Sequence, residues 1–139
     1  MRVLITGGAG CLGSNLIENL LPKGCDILVL DNFATGKREV VPPVDGLKVE
    51  EGSVADGDLV NRCFDEFGPE IVIHSAAAYK DPDDWEEDSA TNVMGSIHVA
   101  KAAERVGVRK IINFQTALCY GRPERIPIPS NHPERPFTS

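Results

Sequence analysis

The sequence predicts an α/β fold built on one doubly wound parallel sheet, and three observations carry that expectation. Five apolar runs that read as strands are interleaved with amphipathic segments that read as helices. Such an alternation closes through right-handed crossovers into parallel strands covered on both faces. The second run, Ile27-Leu28-Val29-Leu30, is continuously apolar rather than alternating, as suits a strand buried on both faces. Between the first run and the first helical segment lies Thr6-Gly7-Gly8-Ala9-Gly10-Cys11-Leu12-Gly13, whose glycines permit a tight turn. The natural strand order is 3-2-1-4-5, and a ligand crevice then falls at the carboxyl ends of strands one and four, where the order reverses.

Strand one spans roughly Arg2 to Thr6. Its helix runs from about Cys11 to Leu21, with Leu12, Leu16, Ile17, Leu20 and Leu21 on one apolar face, and Pro22 to Gly24 stops it. Strand two, Asp26 to Leu30, ends at Asp31; residues 32–43 are irregular, and a short strand lies around Leu47-Lys48-Val49. A helix is predicted from Asp56 to Phe67, with Asp56 or Asp58 near its start and Gly68-Pro69 after it. Leu59, Val60, Cys63, Phe64 and Phe67 form its buried stripe. Strand four is Ile71 to His74, with His74 completing it as a buried residue. A long helix starts near Trp85 or Ser89 and ends at Gly107. Val93, Ile97, Ala100 and Ala103 recur at helical spacing as its inner face, Met94 and Val106 lie beside them, and Trp85 anchors its start. Strand five is Lys110 to Phe114.

A length of 139 residues suffices for one domain with a real core. The formal charge of −7 argues against nonspecific binding to nucleic acid or an anionic membrane, both of which select Lys and Arg. No apolar run is long enough to span a bilayer, and Met1-Arg2 enters a strand at once, so no signal peptide is expected. Cys11, Cys25, Cys63 and Cys119 are scattered and form no C-x-x-C pair, as free thiols in a reducing cytoplasm would be. The acidic run Asp81 to Asp88 reads as a solvated loop leading into a helix, not a metal site. The stretch Pro127 to Pro136 is a proline-rich loop with no closing element after it, which is the pattern of a truncated domain.

The glycine turn is the chemistry-bearing stretch. Gly8, Gly10 and Gly13 satisfy G-x-G-x-x-G, and Gly7, Gly10 and Gly13 satisfy T-G-x-x-G-x-x-G. Between a strand and a helix, either spacing lets backbone approach a pyrophosphate that the helix N-terminus then attracts. Asp31 follows Gly13 by 18 residues, at the end of strand two. A carboxylate there accepts hydrogen bonds from both adenosine ribose hydroxyls and repels a 2′-phosphate, so a Rossmann-like site for NAD rather than NADP is expected. Lys37 and Arg38 nearby temper that preference.

These residues belong to a longer series. Thr6 to Gly13, Asp31-Asn32-Phe33-Ala34-Thr35-Gly36, Gly52 to Asp56, His74-Ser75-Ala76-Ala77-Ala78, Asn92 to Ser96 and Phe114 to Gly121 resemble, in order and spacing, the motifs of the extended short-chain dehydrogenase/reductase family. The similarity is greatest to its nucleotide-sugar epimerases and dehydratases, of the UDP-glucose 4-epimerase kind, and covers nearly the whole chain. The resemblance implies that Gly7, Gly10 and Gly13 shape the pyrophosphate turn and that Cys11 and Leu12 approach the phosphates through their backbone. It implies that Asp31 holds the ribose with Asn32 and Gly36 beside it, and that Ser53 and Val54 flank the adenine, Ser53 replacing the acid of relatives. Ala76, Ala77 and Ala78 would wall the second ribose, with Asn92 beneath the nicotinamide. Thr116 would hydrogen-bond the reacting sugar oxygen.

The family base is a Tyr in Y-x-x-x-K. Tyr79 and Tyr120 are followed at the fourth position by Asp83 and Glu124, so neither fits, and Tyr120 is implied to be structural or pocket-lining. The motif is expected just after Ser139, with the substrate lobe beyond it. The reading is therefore an NAD-binding domain over residues 1–139 of an NAD-dependent nucleotide-sugar epimerase or dehydratase, inactive as it stands and a homodimer at full length. The alternatives are a non-catalytic NAD(P) sensor on the same fold and a single-step carbonyl reductase or dehydrogenase.

Overall fold

The computed structural model describes residues 1–81 and 83–136. Strands β1 (Arg2–Thr6), β2 (Asp26–Asp31), β3 (Leu47–Glu51), β4 (Ile71–His74) and β5 (Lys110–Asn113) form a sheet in the order β3-β2-β1-β4-β5. Every neighbouring pair is parallel. Register sets Thr6 beside both Leu30 and His74 and sets Asp31 beside Glu51. The strands thus bring their carboxyl ends to one edge, and the order reverses between β1 and β4.

The helices are α1 (Cys11–Leu20), α2 (Gly57–Phe67), α3 (Trp85–Asp88) and α4 (Ser96–Val106). Successive strand residues face opposite ways, so each strand feeds two cores. Val3, Ile5, Ile27, Val29 and Ile73 pack with Ile17 of α1 on one face. Leu4, Leu28, Leu30 and Val72 pack with Leu59, Val60, Cys63 and Phe64 of α2 and Val99, Ala102 and Ala103 of α4 on the other. Phe67 lies partly buried against that second core. Burial pushes the Cys63 thiol up to about 11, with the neighbouring Glu50 charge adding to it. Asp56 is the cap of α2; its carboxylate accepts the N–H groups of Asp58 and Leu59, both at 3.0 Å. Gly68 and Gly107 end α2 and α4 in the left-handed conformation. All four cysteines are free thiols.

Three sequence expectations are corrected. The first helix stops at Leu20 and tightens into a 3-10 turn over Leu21–Lys23, and Leu12 of its predicted apolar face is exposed at its N-terminal end. The long helix contains a π-helical stretch, Ser89–Gly95, between α3 and α4. Across that stretch and the first turn of α4, Thr91, Gly95 and Val99 face inward while Val93, Met94, Ile97 and Ala100 face out. Gly95 is required there, since a Cβ would come within 2.5 Å of Val54. Finally, Trp85 is 69% exposed and anchors nothing by burial.

Candidate dinucleotide site

The glycine turn is held by the strands beneath it. Gly7 adopts a φ of +67° and presses against the segment after β4, where a Cβ would stand 2.7 Å from the Ala76 nitrogen. Its N–H donates to the Leu30 carbonyl at 2.9 Å. A Cβ on Gly13 would meet the Gly8 Cα at 2.4 Å. Gly10 differs: with an ordinary φ of −78° as the cap residue of α1, its added Cβ would meet only the Gly7 carbonyl, at 3.3 Å. The fold itself demands bare glycine at 7 and 13, whereas at Gly10 the open space lies on the outer side. Cys11 and Leu12 are exposed beside it, and α1 begins with no side-chain cap and no acid in its first turn. Its first N–H groups therefore present positive potential without local compensation.

Asp31 stands at the junction of two loops and is only 6% exposed. One carboxylate oxygen accepts the Ala9 N–H at 2.8 Å and the other the Phe33 N–H at 2.8 Å. Each oxygen keeps a further lone pair for a hydroxyl. Gly36 lies against Ala9, where its Cβ would come within 2.7 Å of the Ala9 Cβ, and the Lys37 N–H donates to the Ala9 carbonyl. Asn32 is exposed, its side-chain oxygen accepting the Ala34 N–H at 3.1 Å. Thus the glycine turn, Asp31, Asn32 and Gly36 meet in one place.

Ser53 and Val54 follow β3. The Ser53 hydroxyl accepts the Ala55 N–H at 3.1 Å, leaving its own proton to donate. The Val54 side chain is buried in the core, and its carbonyl pairs with His98 Nδ1 at 3.1 Å. On the other side of the switch, Ala76, Ala77 and Ala78 leave β4 as a run of small side chains. Asn92 holds that run in place: its side chain accepts the Ala78 N–H at 2.9 Å and donates to the Ala78 carbonyl at 2.8 Å.

Beneath these residues runs a polar chain, buried at Thr6 and His74, that the sequence did not reveal. The Ser96 hydroxyl donates to the Asn92 carbonyl at 2.7 Å and pairs with His74 Nε2 at 3.1 Å. His74 Nδ1 pairs with the Thr6 hydroxyl at 2.6 Å, and Thr6 Oγ1 accepts the Ala76 N–H at 3.2 Å. With the Ser96 proton committed to Asn92, His74 donates from Nε2 and accepts at Nδ1, which is a neutral imidazole. Burial holds its pKa below the ordinary histidine value, which suits that state. The only warning in the sequence was a histidine ending an otherwise apolar strand.

Thr116 is exposed and caps a 3-10 turn, Ala117–Tyr120; its Oγ1 accepts the Leu118 N–H at 3.2 Å, leaving the hydroxyl proton free. His132, to which the sequence assigned no role, is buried and edge-on to Tyr120 with ring centroids 5.8 Å apart. Its Nε2 accepts the Glu124 N–H at 3.3 Å, and its Nδ1 lies 2.8 Å from the Pro133 carbonyl. The proline-rich segment therefore folds onto itself around that ring.

This sheet, with its switch point, glycine turn and buried acid, defines a dinucleotide-binding fold of the Rossmann class. Residues 3–139 match the NAD dependent epimerase/dehydratase family, and the chain belongs to it. It is 35% identical to a UDP-glucose 4-epimerase of Corynebacterium glutamicum, over 98% of this chain and 41% of that one. Among solved structures it is similar to the Bordetella bronchiseptica enzyme WbmG in complex with NAD, at 70% identity and a TM-score of 0.93, over 99% of this chain and 44% of the other. It is also similar to the Thermus thermophilus UDP-glucose 4-epimerase complexed with NAD, at 39% identity and a TM-score of 0.86, covering 98% and 45%. The chain spans under half the length of these relatives. Among the described residues no helix is long and apolar enough to cross a membrane.

Proposed function

We propose that this chain binds NAD and forms the coenzyme-binding part of a nucleotide-sugar epimerase or dehydratase. The observation that carries the reading is Asp31, buried where the glycine turn and the loop after β2 meet, with a lone pair left on each oxygen for the adenosine ribose hydroxyls. The residues fit the coenzyme on two further counts. Gly10 opens space that the packing of the chain does not require, and the uncapped start of α1 faces that space. Gly7 and Gly13 shape the turn, and Cys11 and Leu12 offer backbone N–H groups to the pyrophosphate. Asn32, Gly36, Ser53 and Val54 border the adenosine, and Ala76, Ala77, Ala78 and Asn92 border the nicotinamide ribose.

Bound NAD supplies reversible hydride exchange with a sugar carbon. The contribution of this chain is to orient. Thr116 has a hydroxyl proton free to donate to the sugar oxygen at that carbon. The proton-transferring Tyr and its Lys are not among these 139 residues. The sugar class follows the relatives; WbmG has been crystallised with NAD and UDP. The outward stripe of Val93, Met94 and Ile97 is read as the face that pairs with a second copy in the whole protein.

Isothermal titration with NAD tests the coenzyme reading. The parent chain should bind, Asp31→Asn should weaken binding at least about 10-fold, the scale of lost hydrogen bonds to a charged group, and Gly10→Ala should abolish it with little change in urea midpoint. A parent that binds no NAD, or an Asp31→Asn variant of unaltered affinity, overturns the reading.

A further inference from the structure

Beside Asp31 stands a second carboxylate to which the motifs assign nothing. Glu51, the last residue of β3, is the register partner of Asp31, so the two acids end adjacent strands side by side. The Glu51 side chain is ion-paired with the Arg38 guanidinium. The same guanidinium lies over the Phe33 ring, its central carbon 4.3 Å from the ring centroid. Phe33 is held in that place by two features. Its N–H is bound to Asp31, and its backbone is in the left-handed region at φ +55°, an uncommon conformation for an aromatic residue. Arg38 is thereby clasped between the ring of Phe33, whose N–H is bound to Asp31, and the carboxylate that pairs in register with Asp31. Its neighbour Lys37 is tied through its backbone to Ala9 of the glycine turn.

The chemistry of that position is informative. In dinucleotide sites of this fold, an arginine near the ribose is the group that accommodates a 2′-phosphate. Arg38 stacks on Phe33, whose N–H is bound to Asp31, yet its charge is already met by Glu51 and its plane by Phe33. A 2′-phosphate would have to compete with Glu51 for the guanidinium while facing Asp31 as well. We propose that Glu51 is a specificity-determining residue that holds Arg38 against Phe33 and so denies it to the 2′-phosphate of NADP. Coenzyme choice then rests on two carboxylates, one repelling the phosphate and one occupying the cation that would receive it. The proposal rests on the reading that the groove takes NAD.

The test is a comparison of NAD and NADP affinities in the 139-residue chain. Glu51→Gln should raise NADP affinity about 3- to 10-fold, the range expected for one exposed cation meeting a phosphate, while NAD affinity stays within about twofold. The gain should shrink in 0.5 M salt, since exposed pairs are screened. Adding Arg38→Met to Glu51→Gln should cancel the gain, whereas Arg38→Met in the parent, which leaves the Glu51 carboxylate unpaired, should give no gain in NADP affinity. A parent that binds NAD with a coenzyme ratio unmoved by Glu51→Gln overturns this proposal alone. A gain that survives Arg38→Met overturns it too. A parent that binds neither coenzyme overturns the coenzyme reading and this proposal together.

Discussion

Strands β1 and β5 are both short and apolar, and both lie parallel to β4 in one sheet, yet their fates differ. Val3, Leu4 and Ile5 of β1 are buried to within 1% of complete exclusion, whereas Ile111 and Ile112 of β5 are 41% and 38% exposed. Residue type does not separate them. β1 has a strand on either side and a helical layer on each face, while among the described residues β5 pairs with β4 alone. Burial, and with it the energetic weight of a residue, is conferred by neighbours. The packed centre of the sheet is also where Gly7, Asp31 and Thr6 are fixed, so that site is held by the buried strands β1 and β2. Thr116 extends beyond the sparsely covered strand.

The largest test of that contrast is in the packed half. Phe64 has no exposed surface and lies in the core shared by the sheet, α2 and α4. Phe64→Ala should cost about 3–5 kcal/mol, read as a lowered urea midpoint. Next comes Gly13→Ala, whose Cβ would overlap the Gly8 Cα. It should cost about 1–3 kcal/mol, as overpacking does, and should abolish NAD binding in the folded fraction.

A third prediction uses the buried chain under the site. His74 has a lowered pKa in the folded protein, so on acidification the unfolded chain takes up this proton first. Its contribution to stability is complete above the unfolded value near pH 6.5 and falls as pH drops below it, by at most about 1.4 kcal/mol per pH unit. Urea titrations between pH 7.5 and 5 should show that loss, and His74→Gln should flatten it. An undiminished slope in the variant would assign the effect to other groups. Smallest of all, Ile111→Thr should stay within about 0.5 kcal/mol, as exposed substitutions do. If it matches Ile5→Thr in cost, the contrast between the two strands is wrong.

How much was legible varies by element. The glycine turn, Asp31 and the sheet order could be read because each rests on a local pattern whose geometry leaves few choices: a strand, a reversal, a helix start and an acid at a set distance. The buried face of α4 could not. Its apolar residues permit two stripes, and the one that packs runs through Gly95 and Val99, with Gly95 fitted against Val54. The Thr6–His74–Ser96–Asn92 chain was hidden for a different reason: its members lie far apart in sequence and become partners only once β1, β4 and the helix are in register.

The amino-acid sequence by itself determined the α/β alternation, the glycine turn and the carboxylate that ends β2, because periodicity and glycine placement act over a few residues. Tertiary structure alone decided which helix face is buried, that His74 is a neutral link between strand and helix, that His132 organises the proline-rich segment, and that Arg38 is already taken by Glu51 and Phe33. Those outcomes depend on surroundings that exist only after distant segments have packed, since burial and hydrogen-bond partners belong to a place in the fold and not to a residue type.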